Sequence, residues 1–177
     1  GHKFDFTSAL RSMLRQDPDV ILVGEIRDPD TAHMAIQAAM TGHLLLTTVH
    51  ARDSIGCIFR LLDLGIEPFL LASALTAVLS QRLMRRLCPH CRVKQRPAIS
   101  RLNSLGLDEL AGKDIYAPIG CDECLGIGYK GRVPIFEMLS INDQVRDAIA
   151  NKPTIQQLRT AAGDWIYQTL RDDGVRK

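Results

Sequence analysis

Apolar and polar positions in the first half of the chain follow two periods in turn. Val20-Ile21-Leu22-Val23 is a continuous apolar run of strand length, and His43 to Val49 is another. Such runs predict strands covered on both faces. Between them, Asp28-Pro29 supplies a cap and a first-turn proline, and the Ala-rich stretch that follows predicts a helix to Thr41, stopped by Gly42. Upstream, Thr7 reads as the cap of a helix through Gln16, and Pro18 pushes its predecessor out of helical backbone. The spacing further predicts a helix from about Asp53 to Leu64, ended by Gly65, and another from Pro68 to about Arg86. Strands alternating with helices of this length imply a parallel sheet and an α/β fold. The character changes at Leu87. From Cys88 to Met138 the chain is turn-rich, and beyond Ser140 three short helices are predicted: Asn142 to Ala150, Thr154 to Ala162 and Asp164 to about Arg171. The expected organisation is residues 1–87 as part of an α/β core, 88–139 as an insertion and 140–177 as a small helical region.

Composition narrows the class. Of 177 residues, 46% are hydrophobic and 24% charged, as in a globular protein with a core. The charge sum, 22 basic minus 20 acidic, is +2, too small an excess to mark a nucleic-acid binder. Lys3, Asp5 and Arg11 interrupt any leader-like apolar run at the start, so the expectation is a soluble, cytosolic chain.

Four of the five cysteines form two pairs, Cys88-Pro-His-Cys91 and Cys121-Asp-Glu-Cys124, and Cys57 stands apart in an apolar setting. Two C-x-x-C groups can place four thiolates around one tetrahedral zinc at about 2.3 Å each. No position is then left for water, so the zinc is expected to be structural, and it would contribute directly to folding a lobe with few large apolar residues. His90, inside the first pair, is expected to be exposed rather than a ligand.

Glu25 almost directly follows the first apolar run. In an open parallel sheet the carboxyl ends of strands face the ligand crevice, where a carboxylate can orient an attacking water or hold magnesium beside a triphosphate. The competing reading is a helix-capping acid, a task Asp28 already fills. Thr47, Thr48 and His50 close the second strand at the same crevice, whereas His43 opens it and reads equally as a satisfied core histidine. Arg11 and Arg15, four apart, share a helix face suited to phosphate oxygens or simply to solvent. The string Gly126-Ile-Gly-Tyr-Lys-Gly131-Arg132-Val133 has the glycine spacing of a phosphate-binding loop. It lacks that loop's lysine and hydroxyl, so it is a decoy.

Together these strings resemble the secretion ATPases of type II secretion and type IV pilus assembly, from about Phe6 to Val175. Leu10-Arg-Ser-Met-Leu-Arg-Gln-Asp-Pro-Asp19 with Gly24-Glu-Ile-Arg-Asp28 looks like the family's Walker B region, and Gly42-His-Leu-Leu-Leu-Thr-Thr-Val-His50 like its His box. Gln81 to Cys88, the second cysteine pair, Gly128 to Arg132 and Ile135-Phe-Glu137 look like its zinc-bearing module. Leu64-Gly-Ile-Glu-Pro-Phe-Leu70 leans toward the type II secretion branch.

The resemblance implies a partial RecA-like core carrying a four-cysteine zinc insertion and a helical C-terminal region. It implies that Glu25 is the catalytic glutamate acting on magnesium and water, that Arg11, Arg15, Arg27 and Arg132 lie near the nucleotide or a neighbouring subunit, and that His43 and His50 couple nucleotide state to domain movement. It further implies a cytoplasmic hexamer, using ATP and Mg2+, that works against an inner-membrane platform without nucleic acid. The family's phosphate-binding loop and acidic Asp box do not occur in this sequence, so the chain is expected to be the C-terminal part of a longer protein. Rival readings are a zinc-stapled interaction module without catalysis, a pilus-extension or DNA-uptake ATPase, and a zinc protein binding nucleic acid through Arg82, Arg85 and Arg86.

Overall fold

The computed structural model describes Ala9, Ser12, Met13, Arg15, Gln16 and residues 18–177. The predicted Thr7 cap lies outside the described residues. Two compact units divide the chain: Gly1–Gln81 with Phe136–Lys177, and Arg82–Ile135.

The first unit is built on two short parallel strands, β1 (Val20–Val23) and β2 (Leu44–Thr47), with Val20 opposite Leu44 and Val23 opposite Thr47. Parallel neighbours need a crossover. Here it is α1 (Pro29–Met40), opened by Asp28, whose carboxylate accepts from the Thr31 N–H at 2.9 Å. Ala32, Ala35, Ile36 and Ala38 of α1 are buried with Ile21 and Val23 of β1. The opposite sheet face is a correction to the sequence reading. Leu22 is 73% exposed and Leu44 56%, with Val20 and Leu46 also exposed, because no layer covers that face among the described residues.

Two helices follow, α2 (Ser54–Asp63), capped by Asp53, and α3 (Pro68–Ala74). The single helix predicted from Pro68 to about Arg86 is not observed. It stops at Ala74, and β3 (Ala77–Leu87) takes over, paired with β6 (Tyr129–Ser140) in a two-stranded sheet. Helical spacing in this stretch is overridden by partner strand pairing, helped by β-branched Thr76 and Val78. Thr76 accepts the Ile141 N–H at 3.0 Å. The second unit further contains a β-hairpin of β4 (Val93–Gln95) and β5 (Ile115–Ala117), with α4 (Ile99–Ser104) between its strands.

After β6 come α5 (Asp143–Ala150) and α6 (Ile155–Ala162), where the sequence places them. Asn142 caps α5, and Thr154 with Gln157 forms a capping box on α6. The predicted last helix is displaced. Residues 163–165 form only a tight turn, Ile166 bridges to Leu139, and α7 spans Leu170–Arg176. Thr169 and Asp172 cap each other's ends there and set its start. Val145, Ile149 and Leu158 of these helices are buried in the core with Ile55, Ile58 and Leu71 of α2 and α3.

Asp173 of α7 is fully buried and fastens the C-terminus to β6. It accepts from the Phe136 N–H at 2.9 Å, from Lys177 at 2.8 Å and from Arg176 at 2.7 Å. The Lys177 ammonium, opposed by burial and aided by the Phe136 N–H and Arg176, holds this carboxyl down at about 2. A depressed carboxyl contributes stability that is complete above the unfolded value of 3.8 and lost as pH falls through about 2. Asp173→Asn is therefore expected to lower Tm at pH 7 by about 5 °C or more. The gap to the unmodified chain should narrow between those two pH values in thermal melts, and a constant gap would contradict the assignment.

Candidate functional site

The parallel register brings the carboxyl ends of β1 and β2 out side by side. Past the strands, the Ile26 N–H donates to the Thr48 carbonyl at 3.0 Å, and the Thr48 hydroxyl to the Gly24 carbonyl at 2.7 Å. These bonds hold Glu25 and His50 together at one edge. Arg27 pairs with Glu25 Oε1 at 2.5 Å, and His50 Nε2 lies 3.3 Å from Oε2. The Glu25 side chain is one-third exposed (33%) and those of Arg27 and His50 are mostly exposed, at 71% and 87%. The Arg27 guanidinium, and secondarily His50, hold the Glu25 carboxyl below its ordinary value despite some desolvation. The result is an anionic group, oriented by two cationic or polar arms, open to solvent at a strand-end edge. Such a group can accept a proton from water or join the ligands of a divalent cation.

The other sequence candidates do not all gather there. His43 opens β2, at the far end of the strand, and its Nδ1 lies 3.1 Å from the Ala38 carbonyl and 3.0 Å from the Thr41 hydroxyl. That is a contact with the last turn of α1, at a carbonyl that also accepts from the N–H and hydroxyl of Thr41. Arg15 is exposed in a turn and Arg132 is exposed on β6, in the second unit. Arg11 lies outside the described residues.

The cysteines converge. Cys88, Cys91, Cys121 and Cys124 place their sulfurs within 4.8 Å of one another, with Cys88···Cys121 at 4.0 Å and Cys91···Cys124 and Cys121···Cys124 at 3.8 Å. Tetrahedral bonds of about 2.3 Å to zinc require sulfurs about 3.8 Å apart, so the donor set fits that ion. Backbone N–H groups point at the sulfurs: Gly120 to Cys91 at 3.3 Å, and Cys121 and Gly128 to Cys124 at 3.2 Å each. Burial works against ionising Cys124, yet the Cys121 and Gly128 N–H groups, with the neighbouring Cys121 and Cys91 thiols, outweigh it and bring the thiol to about 7. The loops come this close because two glycines stand at positive φ, Gly120 at 108° and Gly128 at 74°. A Cβ on either would strike backbone or Pro118. The decoy glycine string thus serves sulfur rather than phosphate. His90 is exposed and outside the cluster.

One residue carried in the sequence only as part of a motif has a larger place. Glu137 is 6% exposed, and its Oε1 accepts from the N–H (2.9 Å) and hydroxyl of Ser54, its Oε2 from the Leu170 N–H at 3.3 Å. The period-two pattern Ile135-x-Glu137-x-Leu139 was the available signal, since it sets a carboxylate on the buried face of a strand.

The sequence profile of the type II/IV secretion system proteins matches residues 2–177. The type II secretion system protein E of Klebsiella pneumoniae is 51% identical over 177 residues, and this match covers 97% of the chain and 34% of that protein. The type IV pilus assembly ATPase PilB of Thermus thermophilus is 47% identical over 174 residues, covering 97% of the chain and 20% of PilB. The two relatives are similar enough in identity that neither branch is singled out. Among solved structures, the pilus retraction motor PilT with bound ADP has a TM-score of 0.65 at 28% identity, covering 98% of the chain and 39% of PilT. The chain therefore spans between a fifth and about two-fifths of the proteins it matches. No described helix is long and apolar enough to cross a membrane.

Purified under reducing conditions, the chain is expected to carry about one zinc per molecule by elemental analysis. Cys91→Ser or Cys124→Ser should lower that content severalfold, and a native value near zero would remove the four-thiolate reading.

Proposed function

The chain belongs to the family of type II/IV secretion system proteins, and we propose that it is the C-terminal part of a hexameric cytoplasmic ATPase that drives pseudopilus assembly in type II secretion. The observation that supports this reading best is Glu25, ionised and presented between Arg27 and His50 at the carboxyl end of a parallel strand pair. ATP and magnesium would supply the phosphoryl group and its charge neutralisation. Glu25 would hold the proton-accepting position for the attacking water, Arg27 would keep it charged, and His50 would hold it from the neighbouring strand. Arg11, Arg15 and Arg132 are proposed to meet phosphate charge or a neighbouring subunit, and His43 to brace the start of β2.

The apolar sheet face formed by Val20, Leu22, Leu44 and Leu46 supports a RecA-like core of which this chain holds a part, since parallel sheets are ordinarily covered on both sides. The cysteine centre is proposed to hold structural zinc in the second unit. Partners would be further copies of the same subunit and platform proteins at the inner membrane, with no nucleic acid. Pilus extension is the second reading, favoured by the 47% identity to PilB.

In the longer protein that carries this chain, Glu25→Gln is expected to reduce ATP turnover by about 100-fold or more while nucleotide binding survives, because only the proton-accepting group is lost. Turnover within about threefold of the unmodified enzyme would overturn the catalytic assignment. The 177-residue chain alone should hydrolyse ATP negligibly, having no phosphate-binding loop in its sequence.

A further inference from the structure

Glu137 is a buried carboxylate facing three donors, and no cation pairs with it among the described residues. Helix N-termini supply only partial positive charge, so this is a costly way to cap two helices that surface hydroxyls could cap. What the arrangement supplies is sharing. One rigid side chain on β6 accepts from the first residue of α2 and from the first residue of α7. The residue preceding Ser54 is held from the same C-terminal region. Asp53 caps α2 by accepting the Gly56 N–H at 2.7 Å and also pairs with Arg159 of α6 at 3.0 Å. Only Ala51 and Arg52 then separate this doubly anchored start of α2 from His50, which touches Glu25.

We propose that Glu137 is a positioning residue that sets His50 against Glu25 by pinning the start of α2, and so ties the strand-end site to the C-terminal helices. The inference rests on the ATPase reading of Glu25. Its physical content is short and continuous: β6 carboxylate, first turn of α2, a two-residue connection, imidazole, carboxylate. Movement of α7 loosens one oxygen of Glu137, and movement of the His50 segment pulls on the other. A nucleotide-dependent shift at Glu25 would thereby reach α7, and a load on the C-terminal helices would reach Glu25.

The test is a double-mutant cycle on ATP hydrolysis by the longer protein, using Glu137→Gln, His50→Ala and the pair. Glu137→Gln keeps the shape but turns an amide donor toward the Leu170 N–H or the Ser54 donors. It is expected to lower kcat about tenfold with KM for ATP changed less than about twofold. In the His50→Ala background, adding Glu137→Gln should cost less than about twofold further. Loss of fold stability alone would not produce that non-additivity. If Glu137→Gln does not fold, Ser54→Ala, which removes only the hydroxyl bond, serves in the same cycle with an expected loss of about threefold. Independent, multiplicative losses in kcat, or a folded Glu137→Gln enzyme with unchanged kcat, overturn the proposal. Glu25→Gln run alongside separates the two readings. If it is inactive while the cycle is additive, only the positioning role falls; if it is active, the catalytic reading falls and takes this one with it.

Discussion

The parallel register of β1 and β2 is the constraint on which the candidate site depends. Two strands running the same way put both carboxyl ends at one edge, and the crossover helix α1 is what makes that direction possible. Glu25 follows the first strand and His50 the second, so they meet. In an antiparallel pair, one of them would emerge at the other end, several residues away at about 3.3 Å per residue. The same rule sorts the two histidines. His43 precedes β2 and so falls against the last turn of α1, where a ring nitrogen meets the Ala38 carbonyl that also accepts from the N–H and hydroxyl of Thr41. The ladder does not end with the strands, since Ile26 and Thr48 extend it, which fixes Glu25 on backbone rather than on a free loop.

What was legible in the sequence follows from which signals are local. The cysteine spacing is local, because two intervening residues let one turn present two sulfurs, and the structure gathers all four. The caps Asp28, Asp53, Asn142 and Thr154 are local and fall at their helix starts. The capping pair Thr169 and Asp172 is just as local and was available to place α7 correctly. Tertiary facts were not legible. A continuous apolar run says how hydrophobic a strand is but not what covers it, so Val20 to Val23 read as buried on both faces while only Ile21 and Val23 are. The stretch after Ala74 has helical spacing in Leu, Met and Arg, yet pairing with a strand about fifty residues later decides its backbone. Arg27 could not be assigned to Glu25 by spacing, since residues two apart point oppositely on a helix and alike on a strand; only the extended backbone after β1 brings them together.

The two units hold themselves together by different physics. The first buries a continuous aliphatic core from Ile21 to Leu158 and adds buried carboxylates, Glu137 and Asp173, where strand β6 meets helices. There the polar groups are satisfied by N–H donors or cations, and they specify which helix joins which strand rather than supplying bulk burial. The second unit has little of this. Of its aliphatic side chains, Leu102 and Ile135 are buried, whereas Val93, Ile99, Leu105, Ile119, Leu125 and Ile127 are exposed. A lobe of that size with so small a core is marginal on hydrophobic burial alone. Its glycine-shaped loops instead converge on four sulfurs with N–H groups already aimed at them, so the binding energy of a metal held there would go into fastening residues 88–91 against 121–124. Because burial in the first unit does not pass through those cysteines, removing a metal held by them would loosen the second unit before the strand ends that carry Glu25 and His50.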